Sequence, residues 1–196
     1  MPETIYLDLE TTGLSPPDDE ILEIAVVDDA GAVLLHSLVR PAHTTAWPDA
    51  EAIHGLTPAD VQDAPALEAL RPQIVRAVRG KTVVTYNAAF DQAFLPAELA
   101  AAAELLGCMV AFAEHYGEWS DWHGGFRWQT LGVATEYVRH RWETPSHRAV
   151  ADALACRAVW RSLTEPEEQA RVEAIKTDEQ ASWEAQDALR EWAHVA

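Results

Sequence analysis

The chain has 196 residues, a formal charge of −18 and 48% hydrophobic residues. That length suits one domain with a short appendage, and the apolar share is enough for a sizeable core. The acidic balance excludes a broad basic face for nucleic acid, and the lack of any run of about 18 apolar residues excludes a membrane-spanning helix.

Met1-Pro2-Glu3-Thr4 leads into the first strand without a charged and then apolar leader. Cys108 and Cys156 have neither metal-ligand spacing nor the density of a disulfide framework, so the expectation is a soluble, cytoplasmic protein. Charge is unevenly spread. Residues 121–161 hold six arginines against four acids, +2 in a chain that otherwise sums to −20. The positive charge is mostly guanidinium, which can fork onto phosphates.

The first predicted element is a strand over Ile5-Tyr6-Leu7-Asp8-Leu9-Glu10, ended by Thr12-Gly13. Its period-two pattern puts Asp8 and Glu10 on one face, roughly 6.5 to 7 Å apart along the strand. Burying two like charges is costly unless something positive lies between them, and a hard cation such as Mg²⁺ or Mn²⁺ accepts such oxygens. An edge strand that shows both acids to water is the plain alternative.

After a turn-rich loop, Glu20 to Asp29 reads as a second strand, Asp29-Ala30-Gly31 as a hairpin turn and Val33 to Arg40 as a third strand. Ala50 to Gly55 is a helical turn, Thr57-Pro58 a helix start, and Leu67 to Val78 a longer helix stopped by Gly80. Lys81 to Tyr86 reads as a buried strand. Asn87 is placed to cap the next helix, which carries Asp91 in its first turn and Phe90 and Phe94 facing inward. Ala97 to Leu106 is predicted as alanine-rich helix, Cys108 to Phe112 as a fifth strand, and Glu114 to Arg127 as a loop or insertion.

Helices follow over Gln129 to Arg139 and Arg148 to Leu163. In the latter, Ala149, Asp152, Ala153 and Cys156 share one face, small enough to bring Asp152 close to the sheet, with His147 just before the helix. From Glu165 on, nine acids stand against Arg171, Lys176 and Arg190, which reads as a solvated helix held by a few apolar anchors or as a partner-binding tail.

Asp-x-Glu-Thr-Thr-Gly-Leu from Asp8, Asn-x-x-x-Asp from Asn87 and His-x-Ala-x-x-Asp-Ala from His147 occur in that order. This resembles the DEDDh group of 3′ to 5′ exonucleases, the family of the proofreading subunit of bacterial replicative polymerases, ribonuclease T and exonuclease X. The resemblance implies an α/β, ribonuclease-H-like fold, with a mixed five-stranded sheet flanked by helices over residues 1–163 and an acidic helical extension over 164–196. It implies that Asp8, Glu10, Asp91 and Asp152 hold two Mg²⁺ or Mn²⁺ ions, that His147 is the general base and that nucleoside 5′-monophosphates are released. Thr11 and Thr12 would hold the terminal nucleotide, Leu14 would wedge against the bases, and His54 and Asn87 would contact substrate.

Implied partners are single-stranded DNA or RNA 3′ ends, with the acidic C-terminal helix as a place for a protein partner and no membrane. A catalytically silent scaffold of the same fold is the other class to weigh. A two-carboxylate glycoside hydrolase would account for acids but not for His147. Two departures stand out. No Asp-Thr pair follows Cys108-Met109, where the chain is closer to the exonuclease X branch, and Glu114 to Trp128 has no counterpart. Tryptophans there could stack on single-stranded bases, while Trp128 and Trp142 are expected in the core.

Overall fold

A computed structural model describes residues 2–122, 124–142 and 146–195, with side chains to residue 180. The chain opens with an antiparallel meander, β1 (Thr4–Thr11), β2 (Ile21–Asp28) and β3 (Val33–Leu38). Helices α1 (Pro48–His54), α2 (Pro58–Val61) and α3 (Leu67–Val78) lead to β4 (Thr82–Thr85), followed by α4 (Ala88–Phe94), α5 (Pro96–Leu99) and β5 (Glu104–Gly107). Then come α6 (Cys108–Tyr116), a small hairpin of β6 (Trp119–Ser120) and β7 (Gly125–Phe126), α7 (Leu131–Tyr137), α8 (Ala149–Thr164) and α9 (Pro166–Val195).

The main sheet has the order β3-β2-β1-β4-β5. β1 is its middle strand, antiparallel to β2 and parallel to β4, and β4 runs parallel to β5. The edge-strand alternative for β1 is thereby removed. Its alternation separates two cores. Ile5, Leu7 and Leu9 pack with Leu70, Ile74 and Val78 of α3, while Tyr6 packs on the other face with Phe112 of α6, Ala134 of α7 and Ala153, Cys156 and Val159 of α8. Asp8 and Glu10 share the Tyr6 face and therefore look toward α8. Ala149, Ala153 and Cys156 are fully buried, so α8 lies close against the sheet as its small residues predict.

Two predicted elements are corrected. The helix expected over Ala97 to Leu106 stops at Leu99, and Glu104–Gly107 becomes the fifth strand by pairing with Thr82–Thr85. Cys108 to Phe112, expected as that strand, is instead the start of α6: Cys108 and Phe112, four apart, are buried while Val110 between them is exposed. The extension begins on the domain itself. Val172 of α9 lies in the α8-side core, Lys176 sits 3.5 Å over the ring of Tyr137, and Arg139 pairs with Glu179. Among the described residues, no helix is long and apolar enough to cross a membrane.

Candidate active site

β1 delivers Asp8 and Glu10, and the first turn of α8 delivers Asp152. One oxygen from each of these three carboxylates lies within 4.8 Å of the others. Asp91 is buried in the first turn of α4, at the end of β4, and is outside that closest group although its charge bears on Asp8. Burial, then Asp152, Asp91, Glu10 and Glu23, hold the Asp8 carboxyl well above the usual carboxylate range. Burial together with Asp152 and Glu23 pushes Glu10 up to about 8, against the pull of Arg148. Burial raises Asp91 to about 7, with the Thr85 hydroxyl pulling the other way, and Asp152 is also raised by burial.

The donor set is all oxygen, gathered from three elements and half withdrawn from water, which fits a hard divalent cation.

His147 stands at the rim. Its backbone has φ 62, a region a non-glycine residue rarely adopts. Its N–H donates to Asp152 Oδ1 at 3.0 Å, and the exposed imidazole has Nδ1 4.0 Å from Asp152 Oδ2. The preceding residues 143–145 lie outside the described part of the chain.

The turn after Glu10 is built from its own side chains. Thr12 is buried, its N–H donating to the Glu20 carbonyl and its hydroxyl to Asp19 Oδ1 while accepting from the Glu20 N–H. Asp19 Oδ2 also accepts from the Ser15 N–H, and a Cβ on Gly13 would lie 2.4 Å from both Asp19 oxygens. A side chain there would have to displace the Asp19 carboxylate from its bonds to Thr12 and Ser15. Thr11 is buried, its hydroxyl donating to the Gly13 carbonyl, and Leu14 projects from the turn at 80% exposure.

His54, expected beside a nucleotide, is a buried brace under this turn. Its Nδ1 accepts from the Leu56 N–H at 3.0 Å, which leaves Nε2 as the protonated nitrogen that donates to the Thr11 carbonyl at 3.2 Å. Burial pushes its pKa down. Asn87 occupies the N-cap position of α4 but makes no side-chain cap bond, and it is exposed. Trp128, expected in the core, is 65% exposed, whereas Trp142 is half-buried against His140.

Sequence reasoning passed over Glu23. It lies directly across from Glu10 in the β1–β2 pairing and is 1% exposed. Two like charges opposed in this way repel, and the answer is a clamp. Arg148 donates to both Glu23 oxygens at 2.9 Å, the Ala149 N–H adds a bond at 3.2 Å, and His36 Nε2 lies 2.7 Å from Oε1. These partners hold the Glu23 carboxyl below the usual range despite its burial. The start of α8, with His147 and Asp152, is thus fixed to β2. The signal in the sequence is a single acid inside the apolar run Ile21-Leu22-Glu23-Ile24.

The model of the RNase T family, described as an exonuclease, matches residues 5–159. An uncharacterised exonuclease of Escherichia phage 186, CP81, is 32% identical over 166 residues, covering 76% of this chain and 82% of the phage protein. DNA polymerase III subunit epsilon of Rickettsia typhi is 31% identical over 100 residues, 48% of this chain and 43% of the subunit. The structure of exonuclease X in complex with 5′ overhanging duplex DNA matches with a TM-score of 0.62 at 26% identity, covering 86% of this chain and 98% of that one. With the mixed sheet and its carboxylates in view, this chain belongs to the RNase T exonuclease family, as a 3′ to 5′ exonuclease acting on nucleic acid 3′ ends.

Proposed function

We propose that the protein removes nucleoside 5′-monophosphates one at a time from the 3′ end of single-stranded DNA or RNA, with two Mg²⁺ or Mn²⁺ ions held by Asp8, Glu10, Asp91 and Asp152. The observation that carries this reading is the convergence of Asp8, Glu10 and Asp152 oxygens from two distant segments onto one spot. Bound there, divalent cations would supply Lewis-acid stabilisation of the charge that develops in an in-line phosphodiester displacement.

The chain's own residues do the rest. His147, at the rim with its backbone pinned to Asp152, takes the proton of the attacking water. Thr11 and Thr12 shape the turn that receives the terminal nucleotide, His54 supports that turn from below, Leu14 separates the end from its neighbours, and Asn87 offers an exposed amide from the α4 side. The matched relative bound to 5′ overhanging duplex DNA makes a recessed 3′ end the natural second substrate. The acidic stretch of α9 is the segment offered to a protein partner.

The test is degradation of 5′-labelled DNA and RNA, single-stranded and with recessed 3′ ends, in Mg²⁺ or Mn²⁺. A ladder shortening from the 3′ end is expected. Asp8→Ala should lose at least about a thousandfold in rate, more than 4 kcal/mol of barrier. Equal residual cleavage by wild type and Asp8→Ala would reject the assignment.

A further inference from the structure

The hairpin β6–β7 supplies nothing to the carboxylate cluster, yet it holds large rings out in water. Trp119 and Phe126 are cross-strand partners and so lie on one face, their rings meeting edge to face at 5.4 Å. Trp128 follows two residues after Phe126, and with it forms one wall of a groove of about 640 Å³, whose other wall is Val110 and Ala113 of α6. Trp119 is 56% and Trp128 65% exposed.

The chain just past Trp128 is tied to the segment that leads from β4 into α4. Tyr86, just before Asn87 and α4, donates its hydroxyl to the Gln129 carbonyl at 2.9 Å, and its own carbonyl accepts from the Met109 N–H at the start of α6. From Gln129 the chain enters α7, where Leu131 and Thr135 share a cleft with His147 and Asp152. The groove and this cleft share no lining residue, but the chain from Trp128 to Leu131, held by the Tyr86 bond at Gln129, passes directly from one to the other.

We propose that this groove is a stacking subsite for the bases of a single-stranded nucleic acid upstream of its 3′-terminal nucleotide, a proposal that rests on the carboxylates being where the phosphodiester is cut. A strand held there has to leave along some wall, and among the described residues eight basic side chains are already in ion pairs with the chain's own acids, Arg127 of this groove among them. Stacking needs no net positive charge, accepts any base and contributes about 1–3 kcal/mol per base. An apolar protein anchor would require an enclosed, desolvated pocket; this groove is open to water, with Arg127 and Glu114 along it.

The test compares wild type, Trp128→Ala, Trp119→Ala and Trp128→Tyr of the full chain on a thymidine octamer and on the p-nitrophenyl ester of thymidine 5′-monophosphate, which has no upstream bases. Each alanine variant should raise KM for the octamer about tenfold, the equivalent of about 1.4 kcal/mol, with kcat and the rate on the ester unchanged and Trp128→Tyr close to wild type. An unchanged octamer KM, or an equal loss on the ester, overturns the subsite. Octamer affinity by anisotropy in EDTA keeps the two readings separable. If wild type cuts neither substrate, the cleavage assignment fails, while tenfold weaker octamer binding by Trp128→Ala still supports the groove and equal binding overturns it.

Discussion

At the scale of single residues, the acids that cluster at the sheet are visible in the sequence, and the buried acid that ties α8 to β2 is not. Asp8 and Glu10 are legible because a period of two in a strand leaves them no other face, and Asp152 because small residues surround it at helical spacing. Glu23 escaped because its partners Arg148 and Ala149 lie 125 and 126 residues away, a distance no local pattern spans. Removing it should be expensive. Glu23→Ala leaves a guanidinium and a backbone N–H without their acceptor, and since Arg148 is 42% exposed in its side chain the loss belongs at the low end for a broken buried pair, about 3 kcal/mol. That corresponds to a fall in Tm of about 6–12 °C for a chain of this size. Glu23→Gln, which keeps the shape and one good acceptor, should melt within about half that fall, and both variants should lose more in single-turnover rate than in metal affinity if the clamp mainly holds His147. Equal melting of Glu23→Ala and wild type by circular dichroism would remove the clamp from the account.

At the scale of elements, the strands and helices with strong periodicity appear where the sequence places them, the helix over Leu67–Val78 to the residue. The region after α4 reads differently because two ambiguities reinforce each other. Alanines over 97–103 favour helix, which hides the four-residue strand Glu104–Gly107, and an apolar run of five such as Cys108 to Phe112 suits either a buried strand or one side of a helix. Pairing with β4 decides the first, and contact with α8 through Phe112 decides the second. The turn after β1 offers a test at this scale. In Gly13→Ala, Asp19 has to give way, breaking its bonds to Thr12 and Ser15. The expected cost is about 1–2 kcal/mol, with KM for oligonucleotide rising more than kcat falls. In an Asp19→Ala background the same substitution should cost little, and a full additional loss there would show that Asp19 is not what forbids a side chain.

At the scale of the whole molecule, the acid pocket sets how stability responds to pH. Without a bound cation, Asp8, Glu10, Asp91 and Asp152 keep protons that the unfolded chain releases, with Glu10 at about 8 and Asp91 at about 7. Folding stability should therefore fall as pH rises from about 4, where ordinary carboxylates titrate, to about 8. Glu20 and Glu23, both held low, work in the opposite sense and lose their contribution only as pH falls below about 4. In EDTA the protein should melt lower at about pH 8.5 than at about pH 6, and Mn²⁺ should raise Tm most at the higher pH. Asp152→Asn should shrink both effects, and a flat Tm across this range in EDTA would mean the acids do not share one pocket. The internal pairing of so many cations carries one more consequence. Meeting a phosphate backbone, such a surface releases few counterions, so beyond the bases seated in its groove the enzyme has little to keep it riding on a long polymer. Each encounter then ends soon after the cut, and a population of strands shortens in step, a distributive habit that follows from cations already matched to the chain's own acids.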